Sequence, residues 1–351
     1  MKQIPHFLAC LMLTCCALNS KAQSSFADLI KSGPADATKL IDAYSSPLFK
    51  GFGIGLNSGW NSTAHTKKPL KFDIRITASG ALIPTSDRNF DVSKIGLSNS
   101  VRVKPGSPNI TPTFGGGNNP TTLEVFDDQN HKIDEFQLPG GKSSIVPAPQ
   151  IQLTIGLPFN TDVSLRGAPT INVGDEVGKI SMYGIGLKHN IMQDFAGPKN
   201  KTPFDLSVAF GFSRLNMHVP LNIKPAEGAL PAPGTEAADF DTQRVDAHFN
   251  SFEIQAIVSK RYGVFIPFAS IGYNRTKTYA DALGNYPFTT DAIGGVRFYQ
   301  TFTNPISITK RYLDHARADV GFQLNLGVFR YYASYAFSQY HSINTGIGFG
   351  I

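Results

Sequence analysis

The chain has 351 residues, 41% of them hydrophobic and 17% charged, with a formal net charge of +6. Its mean hydropathy of −0.11 suits a soluble globule and a transmembrane β-barrel equally, because half of each barrel strand is polar. The basic balance comes without a dense Lys/Arg run or a nucleic-acid motif, which argues against a nucleic-acid partner. After the first residues no apolar stretch is long enough for a transmembrane helix, so a helical membrane protein is excluded.

The amino terminus reads as an export signal. Lys2 supplies a positive start, residues 7–18 are an apolar run, and Ser20-Lys21-Ala22 places the cut before Gln23. Twelve apolar residues fall short of the roughly 20 that span a bilayer. Removal of residues 1–22 takes Lys2 and Lys21 and no acid, leaving +4. It also takes Cys10, Cys15 and Cys16, so the mature chain has no cysteine, which suits a chain that crosses the periplasm unfolded. A lipoprotein reading is disfavoured, since Thr14 precedes Cys15 and Cys15 precedes Cys16 where a small residue is wanted.

Residues 23–46 form a helical segment in pattern. Phe26, Leu29 and Ile30 share a face behind a Ser25/Asp28 capping box. After Gly33-Pro34, residues Ala37, Leu40, Ile41 and Tyr44 repeat the helical spacing. Two short amphipathic helices before a barrel form either a periplasmic appendage or a plug in its lumen.

From Pro47 to Ile351 the expected period is 2. Between residues 71 and 82, Lys71, Asp73, Arg75, Thr77 and Ser79 alternate with Phe72, Ile74, Ile76 and Ala78. The pattern recurs over residues 150–157, 204–212, 319–328 and 329–338. Runs of about ten residues fit tilted membrane-spanning strands better than sandwich strands, which average nearer six. Aromatics near strand ends (Phe49, Phe52, Trp60, Tyr183, Tyr262, Tyr331, Tyr332) read as interfacial girdles. Residues 158–160 and 260–263 read as tight periplasmic turns. The Gly/Pro-rich inserts at 96–149, 217–244 and 280–315 read as extracellular loops. The segments give twelve strands, or fourteen with a further hairpin at 121–138 or within 288–312. The expected fold is therefore an all-β transmembrane antiparallel barrel of 12–14 strands.

The last ten residues sharpen this reading. Ile343, Thr345, Ile347, Phe349 and Ile351 line one face of a strand that runs to the final residue. Asn344-x-Gly346-x-x-Phe349-x-Ile351 is similar to the carboxyl-terminal signal that barrel-assembly machinery recognises, with Ile351 where an aromatic residue is usual. The partners expected are this machinery and outer-membrane lipid.

Residues Tyr44, Pro47, the run 51–60 (GFGIGLNSGW), Thr63-Ala64 and Phe72-Asp73-Ile74 carry a likeness over nearly the whole mature chain. So do Val146-Pro147-Ala148-Pro149, Gly186-Leu187-Lys188-His189 and residues 203–207. With these, the chain resembles a domain-of-unknown-function family of outer-membrane proteins from Bacteroidota. The resemblance implies location and fold but no substrate. In architecture only, it is also similar to the long-chain fatty-acid transporter family, whose fourteen-stranded barrel is plugged by an N-terminal helical hatch. No binding residue carries over from that likeness.

Enzyme motifs are absent or broken. Gly141-Lys142-Ser143 ends like a phosphate-binding loop, but Phe136 stands where its first glycine belongs. The oxygen-rich turn of Asp127, Asp128, Asn130, Asp134 and Glu135 lacks the calcium-loop order. Nothing in the spacing of Ser338-Gln339-Tyr340-His341 marks a catalytic pair. No catalytic residue, metal or cofactor is expected. The informative residues are the charges on polar strand faces: Lys71, Asp73, Arg75, Arg166, Asp205, Glu253, Arg317, Asp319 and Arg330. On the lipid face each would cost about 2–4 kcal/mol near the midplane, so they are expected to line the lumen. There they either seal it with ion pairs or line a watery path. The two functions in view are a passive channel for a small or hydrophobic solute and a non-conducting structural or assembly component of the envelope.

Overall fold

The computed structural model describes residues 29–172, 178–196, 202–236 and 238–351. The expected export signal, and Ser25, Phe26 and Asp28 of the first helical stripe, lie outside the described residues.

Ten antiparallel strands close into one barrel. They are β1 (Phe72–Leu82), β2 (Ile145–Leu157), β3 (Thr161–Asn172), β4 (Lys179–Asn190), β5 (Asp205–Pro220), β6 (Arg244–Ser259), β7 (Phe265–Leu283), β8 (Ile306–Leu326), β9 (Phe329–Phe337) and β10 (His341–Gly350). Each pairs with its neighbours in sequence, and β10 returns to β1 from Asp73↔Gly350 to Leu82↔His341. Closure leaves the wall no free edge, as a membrane-spanning sheet requires.

The wall has ten strands where the sequence pattern indicated twelve to fourteen. Both additional hairpins form, at Thr122–Phe126/Lys132–Gln137 and Asn285–Ile293/Val296–Thr303, but they belong to small separate sheets outside the wall. Alternation reports that a segment is a half-buried strand, not which sheet it joins. Length replaces number: β5 and β6 have 16 residues each, β7 has 19 and β8 has 21. All exceed the roughly 9–11 residues needed to cross a bilayer.

The two ends of the barrel differ. At the turn end, β2 and β3 join through Pro158-Phe159-Asn160, with Phe159 (φ 59°) and Asn160 (φ 52°) in the left-handed region. Residues 260–264 and 327–328 make two more short turns there. At the other end, residues 83–144, 221–236, 238–243 and 284–305 build a cap from the small sheets. The outward face of the wall is an apolar band, with Ile74, Leu165, Ile185, Val208, Ile254, Val320 and Ile347 all exposed. Tyr183, Tyr262 and Tyr331 lie on this outer face, as girdle aromatics should. Phe49, Trp60 and Tyr332 are instead buried, and Phe52 packs inside against Phe249.

The reason is the segment before β1. Helix α1 runs unbroken from Pro34 to Leu56, through Pro47 and the glycine-rich run that the sequence pattern assigned to the barrel. It touches β1, β2, β5, β6, β7 and β8, which places it inside the wall. Its first half lies in the cap, where Leu40, Ile41 and Phe49 join a core with Leu123, Phe136, Phe249, Tyr286 and Tyr312. Asp36 accepts from Ser98 N–H (3.0 Å) and Tyr44 donates to Gly140 O (3.0 Å). Lys50 pairs with Asp87 (2.7 Å).

The second half of α1 enters the lumen on three glycines, although an interior glycine costs about 1 kcal/mol relative to alanine. A Cβ at Gly51 would strike Val146, one at Gly55 would strike Ala148, and one at Gly53 would strike Thr276. These contacts come from walls on two sides, so the helix fits only where it lacks side chains. A ring of eight strands is filled by its own side chains, and ten strands leave the added width that a helix backbone stripped of side chains occupies.

Candidate functional site

The site is the lumen and the chain that occupies it. Alternation sends every second wall residue inward. Asp73, Arg75, Arg166, Glu253, Arg317 and Asp319 are accordingly all buried. Three of these, the arginines of β1, β3 and β8, converge on the end of α1. Arg166 Nη1 donates to Leu56 O (3.1 Å), Arg317 Nη1 to Asn57 O (2.7 Å), and Arg75 Nη2 to Trp60 O. Gln150 donates to Gly55 O (2.7 Å) and Gln152 to Trp60 O (3.2 Å). The last carbonyls of a helix have no partner within it and carry its negative pole. Here the wall supplies cations to them, and the helix ends where these arginines stand.

Trp60, the sole tryptophan, packs against Gly184 and Gly186 of β4 and Gly211 of β5. The Arg166 guanidinium lies 3.8 Å from the centre of its ring, a close cation–π contact in a desolvated place. Arg75 likewise faces the Tyr332 ring at 5.1 Å.

Below Trp60 the chain continues toward the turn end, bonded to the wall at Ser62 through His65, Lys67 and Leu70. Ser62 donates to Gln323 (2.6 Å), and Arg75 Nη1 to Ser62 Oγ (3.0 Å). Ala64 N–H donates to Ser259 Oγ (2.9 Å), and Lys188 to Thr63 O (3.1 Å) and His65 O (2.9 Å). Lys67 N–H donates to Asp162 (2.8 Å) and its ammonium pairs with Asp73 (3.5 Å). Leu70, at φ 63°, turns the chain into β1.

The remaining charges form short ion pairs: Arg317 with Asp319 (2.7 Å), Lys188 with Asp162 (3.2 Å) and Arg330 with Asp73 (3.1 Å). Glu253 accepts from Gln255 (3.1 Å). Buried charges survive only when paired or hydrogen-bonded, and here backbone carbonyls of the threaded segment complete the pairing.

Three residues expected in the lumen are not fully buried there; of these Arg330 is half-buried beside Asp73. Lys71 is exposed, because it lies in the rim turn before β1, where strand alternation has not begun. Asp205 sits half-buried at the turn-end rim, facing His65 (3.4 Å) and Asn190 (2.7 Å). Conversely, Asp162 and Lys188 are buried lumen charges absent from the expected set, though each lies on a polar strand face. Trp60 and residues 57–70 carry no periodicity that would have placed them.

The other sequence features resolve structurally. The Asp127 carboxylate accepts from the backbone N–H groups of Gln129 (2.9 Å) and His131 (2.7 Å) within the hairpin turn. Tyr340 is buried and donates to Asp87 (2.5 Å), while His341 meets Tyr335 (2.7 Å). Ser338 bonds Asn274 and Ala316 O rather than that histidine.

The chain belongs to the family of unknown function DUF6588, whose model matches residues 1–351. No curated protein matches its sequence. Among solved structures it is similar to the outer-membrane protease OmpT of Escherichia coli, at 8% identity and a TM-score of 0.37, over 82% of this chain and 100% of that one. It is similar to the translocator domain of the autotransporter NalP of Neisseria meningitidis, at 9% identity and 0.30, over 91% and 99%. A third is the toluene transporter TbuX of Ralstonia pickettii, at 8% identity and 0.22, over 81% and 90%. These are likenesses of fold alone.

Proposed function

We propose that the protein is a closed barrel of the outer membrane, a non-conducting envelope component whose working part is the cap it holds at the cell surface. The observation that carries this reading is the row of backbone carbonyls from Gly55 to Trp60, bonded to Gln150, Arg166, Arg317, Arg75 and Gln152 from four strands of the wall, β1, β2, β3 and β8. A mobile hatch would leave those five wall groups unpartnered on departure, at about 1–3 kcal/mol each, and more for the cations.

The outer-membrane location and orientation rest on the apolar outer band, the short turns at one end and the long loops at the other. On this reading the turn end faces the periplasm. The strand β10 that closes the wall ends there, presenting Ile343, Ile347 and Phe349 outward for lipid and for the assembly machinery. The export signal reading of residues 1–22 supplies the route. A solute channel would instead need the threaded segment to leave.

The test is purified protein in a planar bilayer. The closed reading expects no steady conductance from the intact chain, and conductance once residues 34–71 are unseated. Stable ion flow through the intact, correctly folded barrel would return the channel reading to first place.

A further inference from the structure

We propose that the outer wall across β5–β8 is a binding site for a phosphorylated lipid, with its phosphates on Arg214, Arg275, Lys277 and Arg311. The site lies outside the lumen and stands apart from the closed-barrel reading. It does require that the outward apolar band face lipid.

The register aligns Arg214 with Asn250, Asn250 with Lys277, and Lys277 with Arg311, all on the outward face. At about 4.8 Å per strand this row spans roughly 14 Å. One step toward the turn end the row reads Phe212, Phe252, Arg275 and Asp314. Asp314 is shared by Arg275 (3.4 Å) and Arg311 (3.0 Å), and the Tyr273 hydroxyl donates to it. Lys277 lies 4.7 Å from the Tyr279 ring centre, and Arg214 Nε donates to Asn216 (3.0 Å). Asp246 and Asp281, nearer the cap, already hold Arg244 and His218, and Ser307. Two of the four cations, Arg275 and Arg311, thus share one carboxylate, while Lys277 and Arg214 rest on a ring and an amide. Followed along the register the row descends toward the turn end through Tyr183, Gly167, Ile151, Ile76 and Ile347 and carries no further charge.

Directly below the cations is an open groove of about 730 Å³, walled by Val208, Ile254, Ile271, Tyr273 and Phe337. Alanines and a glycine form its floor. The groove lies within the apolar band, where acyl chains run, and its upper end meets Arg275. A polyanionic head over an apolar tail fits both parts. A free anion uses only the first, and the outward band leaves no place for a soluble partner.

The test uses folded, heat-modifiable barrel in detergent and native mass spectrometry. The probes are an acylated, bis-phosphorylated glucosamine disaccharide, its dephosphorylated counterpart and inorganic phosphate. Intact protein is expected to retain the phosphorylated lipid. The triple variant Arg214→Gln, Lys277→Gln, Arg311→Gln should lose roughly 30- to 100-fold in affinity. Ala316→Phe, which fills the groove, should weaken binding with every cation in place, and Lys260→Gln at the opposite end should not change it. Equal retention of both lipids, an unaffected triple variant, or full displacement of the lipid by millimolar inorganic phosphate would each overturn the proposal. A chain that stays soluble without detergent would instead overturn the membrane reading beneath it.

Discussion

The two halves of the threaded segment are held by opposite chemistry. Above, α1 from Pro34 to Phe52 is seated as in a soluble protein, with Leu40, Ile41 and Phe49 in an apolar core of cap and strand residues. Below, from Asn57 to Leu70, most attachments are hydrogen bonds or ion pairs to a polar wall, with Trp60 in its glycine cradle and Ala64 against Ala209, Ile257 and Phe268 as the apolar contacts. The wall dictates the difference. Its outward residues must be apolar for the bilayer, so a lower interior that was also apolar would give strands hydrophobic on both faces. Above the bilayer that constraint lapses, and Phe249 and Ile308 can point inward. A barrel can thus close its mouth with a hydrophobic core, while its waist is closed by satisfying backbone carbonyls.

The comparison is broken or sharpened by mutation. The largest effect is expected at Trp60→Ala, which empties the glycine cradle and strips Arg166 of its ring. It should cost about 3–5 kcal/mol, read from the heat-induced shift in electrophoretic mobility, and it should open a conducting path. Leu40→Ala in the cap should cost about 2–5 kcal/mol without conductance, because the waist remains bonded. Conductance from Leu40→Ala and none from Trp60→Ala would reverse the roles of the two halves.

Gly55→Ala introduces a Cβ against Ala148 and should cost about 1–3 kcal/mol as overpacking, despite alanine's better helix propensity. A stabilised variant would show that the helix does not press on the wall.

The smallest effect is electrostatic and confined to the cap. Burial alone would raise the Asp87 pKa, but hydrogen bonds from Lys50 and Tyr340 outweigh it and hold the carboxyl below its ordinary 3.8. A carboxyl lowered on folding stabilises above its unfolded value and loses that contribution as pH falls through the folded one. The tie between α1 and the first loop should therefore persist to below pH 3.8, and Asp87→Asn should abolish this acid dependence. Amide exchange at residues 85–94 would show it. A pH response unchanged in the variant would assign the effect elsewhere.

Much of the wall was legible in the sequence because the bilayer imposes its rule residue by residue. β1 and β10 begin and end within a residue of where alternation placed them, and six of nine expected lumen charges are buried there. The course of residues 47–70 was not legible. Gly-Phe-Gly-Ile-Gly alternates like a strand and has poor helix propensity, yet it is helical because the lumen admits only a backbone stripped of side chains. Strand number was equally hidden, since β-pairing partners are a global choice that local alternation does not encode.

The position of β1 fixes the order of assembly. It leaves the threaded segment at Leu70, and its pairing with β10 is the seam that completes the ring. In the finished ring α1 and the chain after it fill the bore, and the cap core lies over one mouth. The direct route is for the last strand to zip against the first with the segment already lying across the bore. Refolding a chain without residues 34–71, with that segment added afterwards, tests it: recovery of the closed form would overturn this order. The finished molecule is then less a lock with its key inside than a rope spliced around its own core strand, whose release is governed by the rate at which the ring reopens and not by an equilibrium between two seats.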